Sequence, residues 1–312
     1  MEVGQSQATA TLIIPKRVTI ETIFGCNASC PMCPIDAPTE RKKGIMPLEL
    51  FREIIDSLVP YRDRLEMMDF YCLGEPFLDP HIAARVSYAK SRGFRNLGIS
   101  TNVDLLTAEK AKLILEAGVD TIILSIDGAR KETHEAIRPG VTFERVVWNA
   151  EQVIRMRDAG GFKTRFVVRF IRQNKNRSEW ETFREFWGER ISRKRGDFVT
   201  AYDVHSCEET ALTKAEVLKP FGGLDDRIER KPCHLPFEVL NILADGTVPL
   251  CSVDWLKAAY AFGNVKGSDP VAVFNSPKAQ ALRAIHLAGE KNRLPICRGC
   301  TILYSGETKE VV

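Results

Sequence analysis

The chain has 312 residues, of which 44% are hydrophobic and 27% are charged. These values are ordinary for a soluble globular protein, and the length suits one large α/β domain with a small appendage. The net charge of +3 is too small to indicate a nucleic-acid or membrane partner, and no apolar window approaches membrane-spanning length. Because no N-terminal signal sequence is evident either, we expect a cytoplasmic protein.

Short apolar runs alternate with amphipathic stretches from residue 17 to about residue 206. Strands are predicted at residues 18–24, 67–72, 97–101, 121–126, 165–171 and 198–205. Between them, helices are predicted to start at Pro47, at Asp79-Pro80, at Thr107, at Thr142 and at a capping box of Ser178 and Glu181. Six βα repeats favour an open, partial (β/α)6 TIM-like barrel, in which functional loops follow the C-terminal ends of the parallel strands.

The βα pattern stops near residue 206. We therefore divide the chain into an extension (1–16), the barrel (17–206), an irregular linker (207–232) and a small α+β module (233–312). In that module, Ala244-Asp245-Gly246 predicts a hairpin turn between residues 237–243 and 247–251, followed by a helix near 277–287. Its core is too thin to be stable without a metal centre.

The nine cysteines do not form a disulfide framework, because the number is odd and the expected compartment is reducing. Seven of them are clustered, at Cys26, Cys30 and Cys33 after the first strand and at Cys233, Cys251, Cys297 and Cys300 in the C-terminal module. Three thiolates in one loop indicate a metal or cluster with an open coordination position, and zinc would need a fourth ligand there. Four thiolates suit either a cluster or a structural zinc ion.

The spacing Cys-x3-Cys-x2-Cys after the first strand resembles the radical S-adenosylmethionine (SAM) superfamily. In that family, three thiolates hold a [4Fe-4S] cluster whose fourth iron binds SAM, and reductive cleavage yields a 5′-deoxyadenosyl radical that abstracts hydrogen from a substrate. The resemblance implies an external one-electron reductant such as flavodoxin or ferredoxin. Met32 matches the position that the family places against the adenine.

Four further segments match the family in order, each following a predicted strand. The cofactor-binding residues implied are Gly74, Glu75 and Pro76 for the SAM ammonium, Ser100 and Asn102 near the ribose, Ser125 and Asp127 along the cavity, and Arg138 for the SAM carboxylate. Val103 replaces the glycine that usually follows Asn102 in the family. Each motif alone is weak, and their order makes the set strong.

The C-terminal cysteines resemble a second pattern. Cys233-x12-Gly246-x4-Cys251 followed by Cys297-x2-Cys300 is similar to the "twitch" relative of the SPASM domain. This resemblance implies one auxiliary [4Fe-4S] cluster with four cysteine ligands, and hence two clusters in all. A fully ligated cluster favours electron transfer over direct substrate binding.

Radical SAM enzymes with a single twitch cluster most closely resemble dehydrogenases and epimerases of sugar-derived natural products. The resemblance predicts a dehydrogenase that oxidises a small polar substrate, such as a sugar, an aminocyclitol or a nucleoside-like molecule, with the auxiliary cluster as electron acceptor. The first alternative is an epimerase in which Cys207 or Cys72 returns a hydrogen atom, although free cysteines are commonly buried core thiols.

Two further alternatives stay open. A peptide-modifying SPASM enzyme is one, although about sixteen residues before the first strand leave little room for a peptide-recognition domain. A zinc-binding module without catalysis is the other. The residue that takes up the substrate proton is not identified by the sequence, and the candidates near the substrate-facing ends are Asp203, His205, His234, Glu238 and Asp254.

Overall fold

The computed structural model of the chain describes residues 12–204, 230–302 and the strand at 307–310. The strands, in chain order, are β1 (Arg17–Ile20), β2 (Ile23–Phe24), β3 (Gly44–Ile45), β4 (Met67–Asp69), β5 (Leu97–Thr101), β6 (Thr121–Ser125), β7 (Arg165–Arg172), β8 (Phe198–Asp203), β9 (Val239–Ile242), β10 (Thr247–Val248), β11 (Gly263–Asn264) and β12 (Glu307–Glu310). The helices are α1 (Leu48–Leu58), α2 (Ile82–Ser91), α3 (Ala108–Glu116), α4 (Lys131–Ile137), α5 (Phe143–Gly160), α6 (Trp180–Gly188), α7 (Leu235–Glu238), α8 (Pro270–Phe274) and α9 (Pro277–Leu287).

The main sheet has eight strands in the order β12-β8-β7-β6-β5-β4-β1-β9. All neighbouring pairs are parallel except β12 with β8, so seven parallel strands form the body of the sheet. The six predicted strands are its central members, which confirms the α/β partial barrel. The sheet is wider than predicted, because the C-terminal part of the chain adds one strand to each edge.

The pairing partner of β9 is the feature that the sequence pattern did not reveal. It pairs with β1 in parallel, with Arg17 opposite Val239 and Ile20 opposite Ile242. The predicted turn is present, since the Leu243 N–H donates to the Thr247 carbonyl at 2.8 Å and Gly246 has φ +87°. The strands on either side of this turn pair elsewhere, however: β9 joins the barrel, and β10 pairs antiparallel with β11.

Several helix ends match the sequence patterns. The Thr107 hydroxyl accepts a hydrogen bond from the Lys110 N–H at 3.4 Å, as expected for a cap, and α1 begins directly after Pro47. The capping box of Ser178 and Glu181 is wrong, because α6 begins at Trp180 after a 3-10 turn over Arg177–Glu179. The helix α4 was missed because its seven residues are too few to show a clear amphipathic period.

The strands divide the sheet into an apolar outer face and a polar inner face. Val18, Ile20, Phe166, Val168 and Phe170 are fully buried in the core beneath the helices. Because side chains alternate along a strand, the intervening residues point to the other face of the sheet. In the described part of the chain, no helix is long and apolar enough to cross a bilayer.

Candidate active site and cysteine clusters

A cavity of about 190 Å³ lies where the loops after β1, β4, β5 and β6 meet. It is lined by ten of the residues predicted for the cluster and SAM, namely Cys26, Cys30, Met32, Cys33, Gly74, Glu75, Ser100, Asn102, Ser125 and Arg138. Tyr71 and Cys72 also border it. Pro76 and Asp127 are buried outside the lining of this cavity. The sequence motifs therefore converge on one place, as their positions after parallel strands require.

Glu75 joins two of the loops around the cavity. Its buried carboxylate accepts hydrogen bonds from the Thr101 hydroxyl and the Asn102 N–H, both at 2.7 Å, and from the Phe77 N–H at 3.1 Å. Burial raises the pKa of Glu75, and these hydrogen bonds partly offset the rise. Glu75 therefore organises the site in addition to facing the cavity.

Gly74 allows the Glu75 loop to approach the cysteine loop. A Cβ atom at this position would collide with the carbonyl oxygens of Ile23 and Gly25. The close approach lets the Glu75 N–H donate to the Gly25 carbonyl at 2.9 Å. A larger residue would push the two loops apart, which explains why the motif needs glycine here.

A network missed by the sequence analysis anchors the cysteine loop. The Asn102 amide donates to Asn27 Oδ1 at 2.8 Å, and the Asn27 amide donates to Asp104 Oδ2 at 3.0 Å. Asp104 in turn accepts two hydrogen bonds from Arg145, each at 2.8 Å. Asn27, a polar residue between Cys26 and Cys30, was visible in the sequence. Its hydrogen-bond partners lie too far along the chain to be identified from the sequence.

Arg138 is held at the cavity by Asp127. The Arg138 Nε–H donates to Asp127 Oδ2 at 2.7 Å, and Asp127 Oδ1 accepts the Ile171 N–H at 2.7 Å. Burial raises the pKa of Asp127, while the charge of Arg138 opposes the rise. The Pro139 carbonyl also accepts the Ser29 N–H at 2.8 Å. Asp127 is thus a positioning residue for Arg138 rather than part of the cavity wall.

The three loop thiols form one electrostatic group. Burial raises the pKa of Cys26 to about 11 and that of Cys33 to about 12, and nearby Cys30 contributes to both rises. Without a metal the thiols are therefore protonated at neutral pH, so iron binding must displace protons. The pKa of Cys72 is raised first by burial and then by Glu21, rather than by the loop thiols. The donor set fits a cluster held by three cysteines.

A second, much smaller cavity of about 20 Å³ lies in the C-terminal module. The four predicted ligands Cys233, Cys251, Cys297 and Cys300 all line it. Most of the remaining wall is apolar, with Pro236, Leu250, Val253 and Ile296 among its members. The four thiols therefore line one small, mostly apolar space, and a set of four thiols fits a fully ligated cluster.

His286 is a further polar residue at this second site. Its Nδ1 accepts the Cys233 N–H at 3.4 Å, and its Nε2 lies 3.7 Å from Cys297 Sγ. Burial lowers the pKa of His286 to about 4, so the ring is neutral near pH 7. Since Nδ1 accepts, Nε2 carries the proton and donates it toward the sulfur of Cys297. No sequence motif predicted this contact.

The grouping of the thiols bears on the zinc alternative. Within residues 12–204 and 230–302, no three ligating side chains are gathered in the way a single metal ion requires. The members of each cysteine set nevertheless line one cavity. The choice between a cluster and a zinc ion therefore rests on the comparison with known families.

A third cavity, of about 340 Å³, lies between the other two. It is lined by Met32, Arg169, Ile171, Tyr202, Asp203, Val204 and Ile302. Met32 also borders the three-cysteine cavity, and Ile302 also borders the four-cysteine cavity. The three cavities thus form a series in which the middle one touches both cysteine sites.

The structure places the candidate proton acceptors and hydrogen donors at different sites in the molecule. Asp203 lines the middle cavity, where it forms an ion pair with Arg172 at 2.8 Å. Asp254 is fully buried and accepts the N–H groups of three neighbouring residues, and Glu238 forms an ion pair with Lys16. His234 is exposed and is not among the residues that line these three cavities. His205 and Cys207 lie outside the described residues.

Comparison with protein-family models decides the family. A model described as "Radical SAM superfamily" matches residues 20–182, just over half of the chain. The chain belongs to the radical SAM superfamily. A model of an iron-sulfur cluster-binding domain, SPASM, matches residues 233–301. The protein therefore uses SAM and [4Fe-4S] clusters.

Relatives of known activity are diverse. The chain is 36% identical over 135 residues to a tungsten-containing aldehyde ferredoxin oxidoreductase cofactor-modifying protein of Pyrococcus furiosus, covering 42% of this chain and 37% of the relative. It is 30% identical over 146 residues to an AdoMet-dependent heme synthase of Methanosarcina barkeri, covering 46% of this chain and 40% of that one. The matched segments thus span about two fifths of these relatives.

Solved structures share the fold at low sequence identity. BtrN in complex with AdoMet and 2-DOIA superposes with a TM-score of 0.60 at 16% identity, covering 92% of this chain and 93% of BtrN. The enzyme anSMEcpe with bound AdoMet gives a TM-score of 0.63 at 16% identity, covering 92% and 89%. Streptococcus suis SuiB bound to precursor peptide SuiA gives 0.61 at 14% identity, covering 87% and 67%. These likenesses concern the fold.

Proposed function

We propose that this protein is a radical SAM dehydrogenase that oxidises a small polar substrate, such as a sugar, aminocyclitol or nucleoside-like molecule. The observation that carries the proposal is the series of three cavities, in which the middle cavity borders both cysteine sites. A substrate held there would lie next to Met32 on one side and Ile302 on the other. An oxidation that begins at one site and ends at the other needs this arrangement.

The chain's own residues have distinct roles in this proposal. Cys26, Cys30 and Cys33 would hold the first cluster, and Arg138, positioned by Asp127, would bind the SAM carboxylate. The four C-terminal cysteines would hold the auxiliary cluster. When bound, these groups supply the radical that removes a hydrogen atom and the acceptor for the electron left behind.

Asp203 is the proposed acceptor of the hydroxyl proton. Among the candidate bases within the described residues, it is the one that lines the middle cavity. Loss of a hydrogen atom from the carbinol carbon, a proton to Asp203 and one electron leaves a ketone, so the reaction balances as a two-electron oxidation. The ion pair with Arg172 holds the carboxylate at the cavity wall.

The test is a substrate screen with anaerobically reconstituted enzyme, SAM and a flavodoxin or dithionite reductant. We expect 5′-deoxyadenosine and a product two hydrogens lighter than the substrate, formed in equal amounts. A product of unchanged mass that incorporates solvent deuterium would refute the dehydrogenase and support an epimerase.

Cys72 is the observation that favours epimerisation as the second candidate. It lines the three-cysteine cavity, and burial raises its pKa well above the ordinary value. It is therefore a thiol at neutral pH, and only the S–H form can return a hydrogen atom to a substrate radical. Under the epimerase hypothesis, Cys72→Ala would abolish deuterium incorporation while SAM cleavage continues; under the dehydrogenase hypothesis, product formation persists.

A further inference from the structure

Arg169 is a cation in the middle cavity that the proposed reaction has not used. It lies on β7, directly beside Ser125 of β6 and Thr200 of β8 in the sheet register. Its side chain lines the middle cavity, and its buried Nε–H donates no hydrogen bond within the described residues. A buried guanidinium N–H that has no acceptor is costly unless something else pairs with it.

The nearby carboxylates are committed to other arginines. Asp69, whose charge interacts with Arg169, forms its ion pair with Arg17 at 3.5 Å. Asp127, which also interacts with Arg169 over a longer range, is bound by Arg138 at 2.7 Å. Both carboxylates therefore offset part of the positive charge of Arg169, but neither accepts a hydrogen bond from it.

The remaining wall of the cavity shapes how a ligand could meet Arg169. The guanidinium carbon lies 5.4 Å from the centre of the Tyr202 ring, which supports the cation from one side. Met32, Ile171, Val204 and Ile302 make most of the rest apolar. Asp203, the other charged group, is already paired with Arg172. Within the described residues, the cavity thus offers a cation, Arg169, whose Nε–H has no acceptor, in a mostly apolar setting.

We propose that Arg169 binds an oxyanion of the substrate, a carboxylate or a phosphoryl group. The substrate class is then narrower than a neutral polyol: it is a sugar-sized acid or a phosphorylated sugar-like molecule. The planar guanidinium matches the two oxygens of either group with paired hydrogen bonds. This inference rests on the proposed function only in taking the middle cavity as the substrate site.

The experiment measures binding rather than turnover. Anaerobically reconstituted wild-type enzyme with SAM is titrated with glucuronate, glucose 6-phosphate and neutral glucose, and the shift in Tm and the Kd are recorded. The variants are Arg169→Gln, Arg169→Lys and a matched control, Arg155→Gln, whose arginine is exposed on α5. Iron content and Tm without sugar report whether each variant has folded.

We expect at least one anionic probe to bind wild type and R155Q at least tenfold more tightly than glucose. R169Q should lose this preference, and R169K should keep a weaker preference because a charge remains without the fork. Equal binding of acid and neutral probes to wild type would overturn the inference, as would an anion preference that survives in R169Q. Should R169Q fail to fold, R169K against wild type decides, and an unchanged Kd there counts against Arg169.

The outcomes for the reaction and for the anion are separable. If R169Q oxidised a neutral sugar and formed 5′-deoxyadenosine and product in equal amounts, the proposed function would stand and this inference would be refuted. Anion binding that depends on Arg169, with no oxidised product from any anionic substrate, would retain the inference and refute the dehydrogenase.

Discussion

The two cysteine sites differ in what surrounds their thiols. The three-cysteine site opens onto about 190 Å³ of space bordered by hydrogen-bonded polar groups, whereas the four-cysteine site encloses about 20 Å³ within a mostly apolar wall. A set of three thiols leaves a coordination position for a ligand, whereas a set of four thiols can complete the ligation of a cluster. Under the proposed function, we therefore expect the first site to initiate the reaction and the second to accept the electron.

The largest expected effect separates the two sites directly. Cys30→Ala should abolish SAM cleavage and remove about half of the bound iron, because a three-thiolate cluster does not tolerate the loss of a ligand. Cys251→Ala should also lower the iron content, but SAM cleavage should continue while oxidised product disappears. The measurements are iron per chain, 5′-deoxyadenosine and product. Loss of SAM cleavage in folded C251A would contradict the division of roles.

The positioning of Arg138 by Asp127 is tested by Asp127→Asn. Removing the charge that holds Arg138 should raise the Kd for SAM about 10- to 100-fold, the value of a hydrogen bond between charged groups. The matched control is Asp197→Asn. Asp197 is buried and forms an ion pair with Arg157 at 2.6 Å, and this pair lies away from the cavities. Both variants should lose stability, by about 3–5 kcal/mol. An equal SAM Kd in both would argue against positioning by Asp127.

His134, which contacts Asp127, should make the stability of the protein depend on pH. Burial, aided by the charge of Arg138, lowers the pKa of His134 to about 3 from 6.5, and its Nδ1 accepts the Asp127 N–H at 3.2 Å. Between these pH values the unfolded chain takes up a proton that the folded chain does not, so stability falls on acidification from pH 6.5 towards 3. Above pH 6.5 this contribution is constant.

His134→Gln, which cannot titrate, should show a shallower loss of stability over that range in chemical unfolding. Parallel curves for wild type and variant would show that His134 does not carry the effect.

A smaller effect is expected at the four-cysteine site. His286→Leu removes the N–H that points at Cys297 Sγ, and hydrogen bonds to cluster sulfur favour the reduced form. A bond of about 1 kcal/mol corresponds to about 40 mV for one electron, so the auxiliary potential should fall by that order. Spectroscopic redox titration measures it, with His134→Leu as the control that leaves this potential in place. An unchanged potential in H286L would mean that the contact does not tune the site.

The smallest effect concerns Val103, in the loop of the open site. It has φ +71°, a left-handed conformation that is strained for a β-branched residue, although its side chain is fully buried. Relief of about 1–2 kcal/mol of strain in Val103→Gly should offset much of the lost packing. Val103→Ala keeps the strain and loses packing, so thermal unfolding should rank V103A below V103G. The reverse order would place the strain elsewhere.

The site motifs were largely predictable because each follows a strand of one parallel sheet. Ten predicted residues meet at a single cavity, although they span residues 26 to 138. Asp127 was identified, but its role was not, since only the fold reveals that Arg138 rather than the cavity lies against it. Arg169 interrupts an apolar strand and was visible in the sequence. Only the three-dimensional structure shows that its Nε–H has no acceptor among the described residues.

The sequence by itself determined the two groups of cysteines, the βα order and hence the superfamily, because these depend on local spacing and on rules of chain connection. It did not determine that Val239–Ile242 would leave its turn and pair with Arg17–Ile20, more than 200 residues earlier. It also did not determine that Met32 and Ile302 would border one cavity. Only the tertiary structure decided these, because contacts between distant segments depend on packing that no local pattern encodes.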